Sequence, residues 1–113
     1  MILFFKTQKE TVIATAVNHQ LNDDETAKLA WLYGDATLMP TQELEGFYVG
    51  PRREMVTPWS TNAVEITQNM NLNGISRIEE FFPVASRNAD YDPMLQRMYE
   101  GIGQEVFSVD RQP

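Results

Sequence analysis

Thr57-Pro58-Trp59-Ser60-Thr61-Asn62-Ala63-Val64-Glu65-Ile66 decides how this chain is parsed. Thr57 offers a side-chain oxygen to the free N–H groups of a first helical turn, and Pro58 stands where a helix tolerates a residue without an N–H. Beyond this start, Trp59, Ala63, Ile66 and Met70 recur at spacings of four, three and four, which puts them on one face, read as the inward face. Upstream, residues 44–49 have the aromatic and β-branched content of a strand that stops at Gly50-Pro51. Downstream, Asn73-Gly74 marks a turn into 75–82, where Ile78 and Phe82 alternate with Arg77 and Glu79 as in a half-buried strand that Pro83 ends.

The flanks extend this pattern. Residues 2–5 and 12–17 are two apolar runs joined by a polar stretch suited to a hairpin turn, so they are expected to pair. Asn22 starts a helix with Glu25 three residues on, a capping-box arrangement that also places Asp23, Asp24 and Glu25 at the positive end of the dipole. Leu29, Leu32 and Tyr33 form its inward stripe, Gly34 stops it, and 35–43 connect it to the next strand. After a polar connection at 86–91, Asp92-Pro93 repeats the cap-then-proline start. Leu95, Met98, Tyr99 and Ile102 then predict a third helix, closed by Gly101 and Gly103, with a last strand at 105–109. The expected fold is α+β: a largely antiparallel sheet with helices on one face, in a single domain covering 1–113.

With 113 residues and 42% apolar composition the chain is long enough to bury a core, about 60 to 70% of its unfolded surface. It has no cysteine, which excludes disulfides, thiolate metal sites and a cysteine nucleophile. Sixteen acidic against nine basic residues give a net charge of −7, unfavourable for nucleic acid or an anionic bilayer. No apolar run reaches the roughly 20 residues of a membrane span, so neither nucleic acid nor membrane is expected as a partner and a cytoplasmic location is.

Little in the chain points to chemistry of its own. A glycine-rich phosphate loop is missing from the sequence, and His19 is the only histidine, which rules out a multi-histidine metal site. Asp23, Asp24 and Glu25 are explained by the helix dipole, and Glu79 and Glu80 point to opposite faces of a strand, a poor acid–base pair. Ser60 and Thr61 lack the histidine and acid that would activate a nucleophile and fit helix capping instead. Arg52 and Arg53, on the loop after a strand, are suited to bidentate recognition of phosphate or carboxylate, against the plainer alternative of a solvated or inter-domain charge pair. Trp59 is expected to bury its ring in the core. No catalytic, cofactor-binding or metal-ligating residue is assigned.

The block from Thr57 to Ile66, taken with Gly50-Pro51-Arg52-Arg53 before it and Arg77-Ile78-Glu79 after it, resembles the N-terminal domain of phosphoribosylformylglycinamidine synthase, the large amidotransferase of purine biosynthesis. The resemblance implies a non-catalytic N-terminal domain of a much longer chain, shaped like a fused pair of the small dimeric subunits of multi-subunit forms. It implies a full-length ligase that uses glutamine as nitrogen donor and takes ATP and magnesium, none of them bound by this chain. Its partners would be the synthetase and glutaminase domains of the same polypeptide, with self-association of the isolated domain through a surface that is otherwise covered. Arg52, Arg53, Thr57, Trp59, Ser60 and Thr61 are the candidate inter-domain or substrate-proximal residues, and the domain would help couple ammonia delivery. The alternatives are a free-standing small subunit or regulatory module of similar shape, and a small-ligand-binding domain using Arg52 and Arg53.

Overall fold

The computed structural model describes residues 1–86, 88 and 90–107. Along the chain run β1 (Ile2–Lys6), β2 (Val12–Val17), α1 (Asp23–Leu32), β3 (Thr37–Leu38), β4 (Leu44–Pro51), α2 (Pro58–Asn69), β5 (Ile75–Val84) and β6 (Gln96–Ile102). The strands form one sheet in the order β3-β1-β2-β5-β4-β6, every neighbour antiparallel. This is the expected α+β class, with β3 as a short strand inside the stretch read as a connection.

Local chemistry explains the helix starts. Asn22 accepts the Glu25 N–H at 2.8 Å while the Glu25 carboxylate accepts the Asn22 N–H at 3.0 Å, completing the capping box. That backbone hydrogen bond, foremost among its causes, holds the Glu25 carboxyl below the ordinary range. Leu29 is fully buried and Tyr33 packs edge-on against Phe5, with its hydroxyl 2.8 Å from that of Thr15. Burial accordingly pushes the Tyr33 phenol well above its usual pKa, and the Thr15 hydrogen bond opposes that rise.

The sheet has a core on each side. One side packs Phe5, Ile13, Val17 and Ile78 under Leu29 of α1 and Ala63 and Val64 of α2. The other gathers Phe4, Ala14, Tyr48, Phe81, Tyr99, Ile102 and Val106. Among the described residues no helix contributes to this second core. The Gln104 amide, just past β6, reaches β1 and acts as a surrogate peptide: its Oε1 accepts the Ile2 N–H at 2.7 Å and its Nε2 donates to the Ile2 carbonyl at 2.9 Å. Ile2, paired with β2 on one side, thus has its outward main-chain groups satisfied where β3 does not reach, as a partly covered sheet edge requires.

Four expectations need correction. The third helix does not form: Gln96–Ile102 is β6, paired with β4 from Gln96 opposite Pro51 to Ile102 opposite Leu44. Asp92 does cap a turn, accepting the Met94 N–H at 3.0 Å, but the chain leaves after that turn because β4 offers a free edge whose hydrogen bonds outweigh helix propagation. Of the stripe assigned to that helix, Leu95 is exposed while Tyr99 and Ile102 are core. In β5, Phe81 is the core residue and Phe82 is exposed, whereas Arg77 and Glu79 are buried. Pro83 does not end β5. It lies beyond the last β2 partner, at Val12 opposite Phe81, where the strand has one neighbour and a missing N–H is tolerated. The strand expected at 105–109 is a turn through 107, and 108–109 lie outside the described residues.

Gly50 fixes how closely β4 approaches this core. A Cβ there would overlap the ring of Phe81, which cannot retreat because Tyr99 and Phe107 pack around it. Gly50→Ala is expected to lower stability by about 1 to 3 kcal/mol through overpacking. The urea midpoint at unchanged slope measures this, and a midpoint equal to the parent's would mean that β4 can shift freely.

Candidate functional site

Strand β4 pairs with β5 only from Phe47 opposite Val84 to Val49 opposite Phe82. Beyond Gly50 the two strands part, and the first half of β5 would be left with an open edge. Residues 52–60 fill that split. Ser60, fully buried, places its Oγ 3.0 Å from the Ile78 N–H, so the first turn of α2 takes the position a strand would otherwise occupy.

Arg77 and Glu79 hold this plug in place. Two residues apart on a strand, they share a face, and the small Ala16 and Ala14 opposite them leave room for long side chains. Arg77 Nε donates to Glu79 at 3.0 Å, its Nη1 to the Arg53 carbonyl at 2.6 Å, and its Nη2 to the carbonyls of Arg52 and Met55 at 3.1 and 2.8 Å. Glu79 is 1% exposed and takes the Thr57 hydroxyl at 2.6 Å and the Thr57 N–H at 3.2 Å. The Thr57 hydroxyl in turn accepts the Ser60 N–H at 3.0 Å. One hydroxyl therefore caps α2 and donates a hydrogen bond to a buried carboxylate. The Arg77 guanidinium also lies 4.4 Å from the Phe107 ring centroid.

The expected site residues separate by role. Thr57 and Ser60 are framework, tied to β5. Thr61 is exposed, with its N–H donating to the Thr57 carbonyl in the first helical turn. Arg52 is engaged within the chain, donating to Glu54 at 2.6 Å and to the Pro93 carbonyl at 2.9 Å, which links two loops. Its hydrogen bond is the main reason the Glu54 carboxyl sits below the ordinary range. Arg53 stacks over Tyr99, 5.4 Å from the ring centroid, with its Nε buried and without an acceptor.

Trp59 corrects the sequence reading most directly. It is 46% exposed and Ile66 45% exposed, while Ser60 and Thr67 are the buried residues of α2. The inward face is rotated from the apolar stripe because the helix start is fixed by hydrogen bonds to β5 rather than by the greasiest side chains. Trp59 instead joins Pro51, Phe82 and Leu95 around an apolar cleft of about 350 Å³, floored by Thr57 and Glu79. Phe82 and Leu95, both exposed, were missed as site residues, as were Arg77 and Glu79. The signal for the last two was an opposite-charge pair at strand spacing inside an apolar run.

Among the described residues no group of three or more His, Asp or Glu side chains converges on one point. His19 is 2.7 Å from its neighbour Asn18 and 3.5 Å from Glu25. No described helix is long and apolar enough to cross a membrane.

Fold and site together define an α+β domain whose buried charges fix a loop and a helix start beside an exposed apolar cleft. Residues 10–103 match the family model described as formylglycinamide ribonucleotide amidotransferase N-terminal, and the match spans most of the chain. The chain belongs to this family, the N-terminal domains of the amidotransferase of purine biosynthesis.

Removing the guanidinium of Arg77 leaves Glu79 buried without its cation and three carbonyls without donors. Arg77→Ala is expected to cost about 3 to 5 kcal/mol. Ile66→Ala, on the exposed side of α2, is expected to cost less than about 1 kcal/mol. Chemical denaturation of both variants checks the pair of values; a reversed ranking would place the structural weight on the apolar stripe instead.

Proposed function

We propose that this domain is a non-catalytic docking module of a formylglycinamide ribonucleotide amidotransferase, seating on the synthetase core through the surface around Trp59. The observation that carries this is the group of exposed Trp59, Phe82 and Leu95 around one cleft with Pro51, beside a helix start that the Arg77–Glu79 pair holds in place. An indole left half in water forgoes part of the stabilisation that burying on the order of 150 to 250 Å² of aromatic surface provides. Such a patch on a well-packed support is suited to a partner surface. Membership of a family of N-terminal domains supports reading that partner as the rest of the amidotransferase.

In this role the domain supplies no group to the chemistry. Glutamine is the nitrogen donor, ATP and magnesium act in the synthetase domain, and the product of the glutaminase, ammonia, travels between them. A rigid surface seated on the synthetase core keeps the two sites in register, so that ammonia is captured rather than lost. The same surface draws two copies of the isolated domain together when the core is missing.

The test uses the complete amidotransferase. Trp59→Glu places a charge in the contact while leaving the fold of this domain intact, since the ring is half exposed. The expected result is a several-fold rise in glutamate formed per amidine formed, together with loss of self-association of the isolated domain in sedimentation. An unchanged ratio in a properly folded variant would exclude coupling through this surface. The isolated domain is expected to show neither glutamine hydrolysis nor ATP-dependent amidine formation; turnover above a buffer control would refute the non-catalytic assignment.

A further inference from the structure

Arginine is concentrated around Tyr99 in a chain whose net charge is −7. Arg53, Arg77 and Arg97 all act on the Tyr99 phenol, opposing the upward push that burial gives its pKa. Two nearby carboxylates are engaged elsewhere, Glu79 with Arg77 and Glu54 with Arg52. Among the described residues Arg53 and Arg97 take part in no ion pair. Their guanidinium carbons lie 5.4 and 5.7 Å from the Tyr99 ring centroid, and both side chains line one cleft of about 500 Å³ with Met98, Tyr99, Glu100 and Gly101.

We infer that this cleft binds the phosphate group of a small phosphorylated molecule, held between the guanidinium groups of Arg53 and Arg97. The Tyr99 ring is a fixed platform, because its hydroxyl donates to the Pro51 carbonyl at 2.6 Å. The main chain of Arg53 is equally fixed, since its carbonyl accepts from Arg77. The Arg53 side chain is incompletely satisfied, with Nε desolvated and lacking an acceptor, a state that costs stability. An oxyanion in the cleft draws this guanidinium outward and supplies the missing acceptor.

The arrangement favours phosphate over carboxylate. Two forked guanidinium groups present more donors than the two oxygens of a carboxylate can serve, whereas a phosphate monoester offers three acceptor oxygens and a charge near −2. Glu100 also lines the cleft. The cleft exceeds the size of a phosphate ion, leaving space for the remainder of an ester.

The ¹⁵N–¹H signals of the arginine Nε–H groups report binding directly. The labelled chain is titrated with glycerol phosphate, inorganic phosphate and acetate at constant ionic strength. The expected result is a saturable shift of Arg53 and Arg97 at millimolar glycerol phosphate, weaker for inorganic phosphate and weakest for acetate. Arg97→Gln, an exposed substitution that leaves the fold intact, should weaken binding about tenfold or more. Lys28→Gln, on α1 and paired with Asp24, should leave it unchanged. Non-saturating drift of all arginine signals, or equal affinity in Arg97→Gln, would overturn the site. Acetate binding as well as phosphate would overturn the phosphate assignment, and inorganic phosphate matching the ester would overturn the ester.

Discussion

A buried carboxylate must find its cation and its hydrogen bonds inside the protein, and in this domain that requirement organises everything between β4 and β5. Desolvating Glu79 and Arg77 costs several kcal/mol per ion by order of magnitude, so the pair is tenable only if the remaining donors and acceptors are met. The carbonyls of Arg52, Arg53 and Met55 and both polar groups of Thr57 meet them. The result is a loop with little freedom. Its conformation is set by a charge pair that tolerates no loose partner, whereas apolar packing would accept several arrangements.

The split in the sheet and the outer edge of β1 pose related problems. Where β4 leaves β5, Ser60 takes the strand edge; where β3 stops short of Ile2 on the outer side of β1, the Gln104 amide takes it. In both places a side chain stands in for a main-chain partner. The second core, to which no described helix contributes, has Phe81 and Tyr99 packed edge-on within it. Gly50 belongs to the same solution, since the strand that bears it must lie against the Phe81 ring.

Signals confined to a few neighbouring residues were legible in the sequence. Asn22 with Glu25 and Thr57 with Pro58 mark the two helix starts, because capping is settled within one turn. What was not legible depended on partners distant in the chain. Residues 95–102 carry apolar positions that suit a helix, yet the free edge of β4 makes them a strand. Trp59 and Ile66 look like the inner face of α2, yet Ser60 turns that helix toward Ile78, 18 residues away. Of the candidate residues, Arg53, Thr57 and Trp59 could be picked out by their nearness in the chain, but their division into framework and surface rests on Glu79, which no local pattern connects to Thr57.

The arginines show how one residue type is divided between support and recognition. Arg77 is buried, with Nε, Nη1 and Nη2 all bonded, and acts on the fold; Arg52 ties the loop at 52–54 to Pro93. Arg53 stands between these conditions, its carbonyl locked into the framework while its side chain rests on Tyr99 with Nε unsatisfied. Any force on that guanidinium therefore reaches the loop through the same residue whose carbonyl Arg77 grips. Trp59 begins two residues after Thr57, which Glu79 holds from the other side of the pair. The cleft at Tyr99 and the apolar surface at Trp59 thus share one support, the Arg77–Glu79 pair, which holds the Arg53 carbonyl on one side and Thr57 on the other.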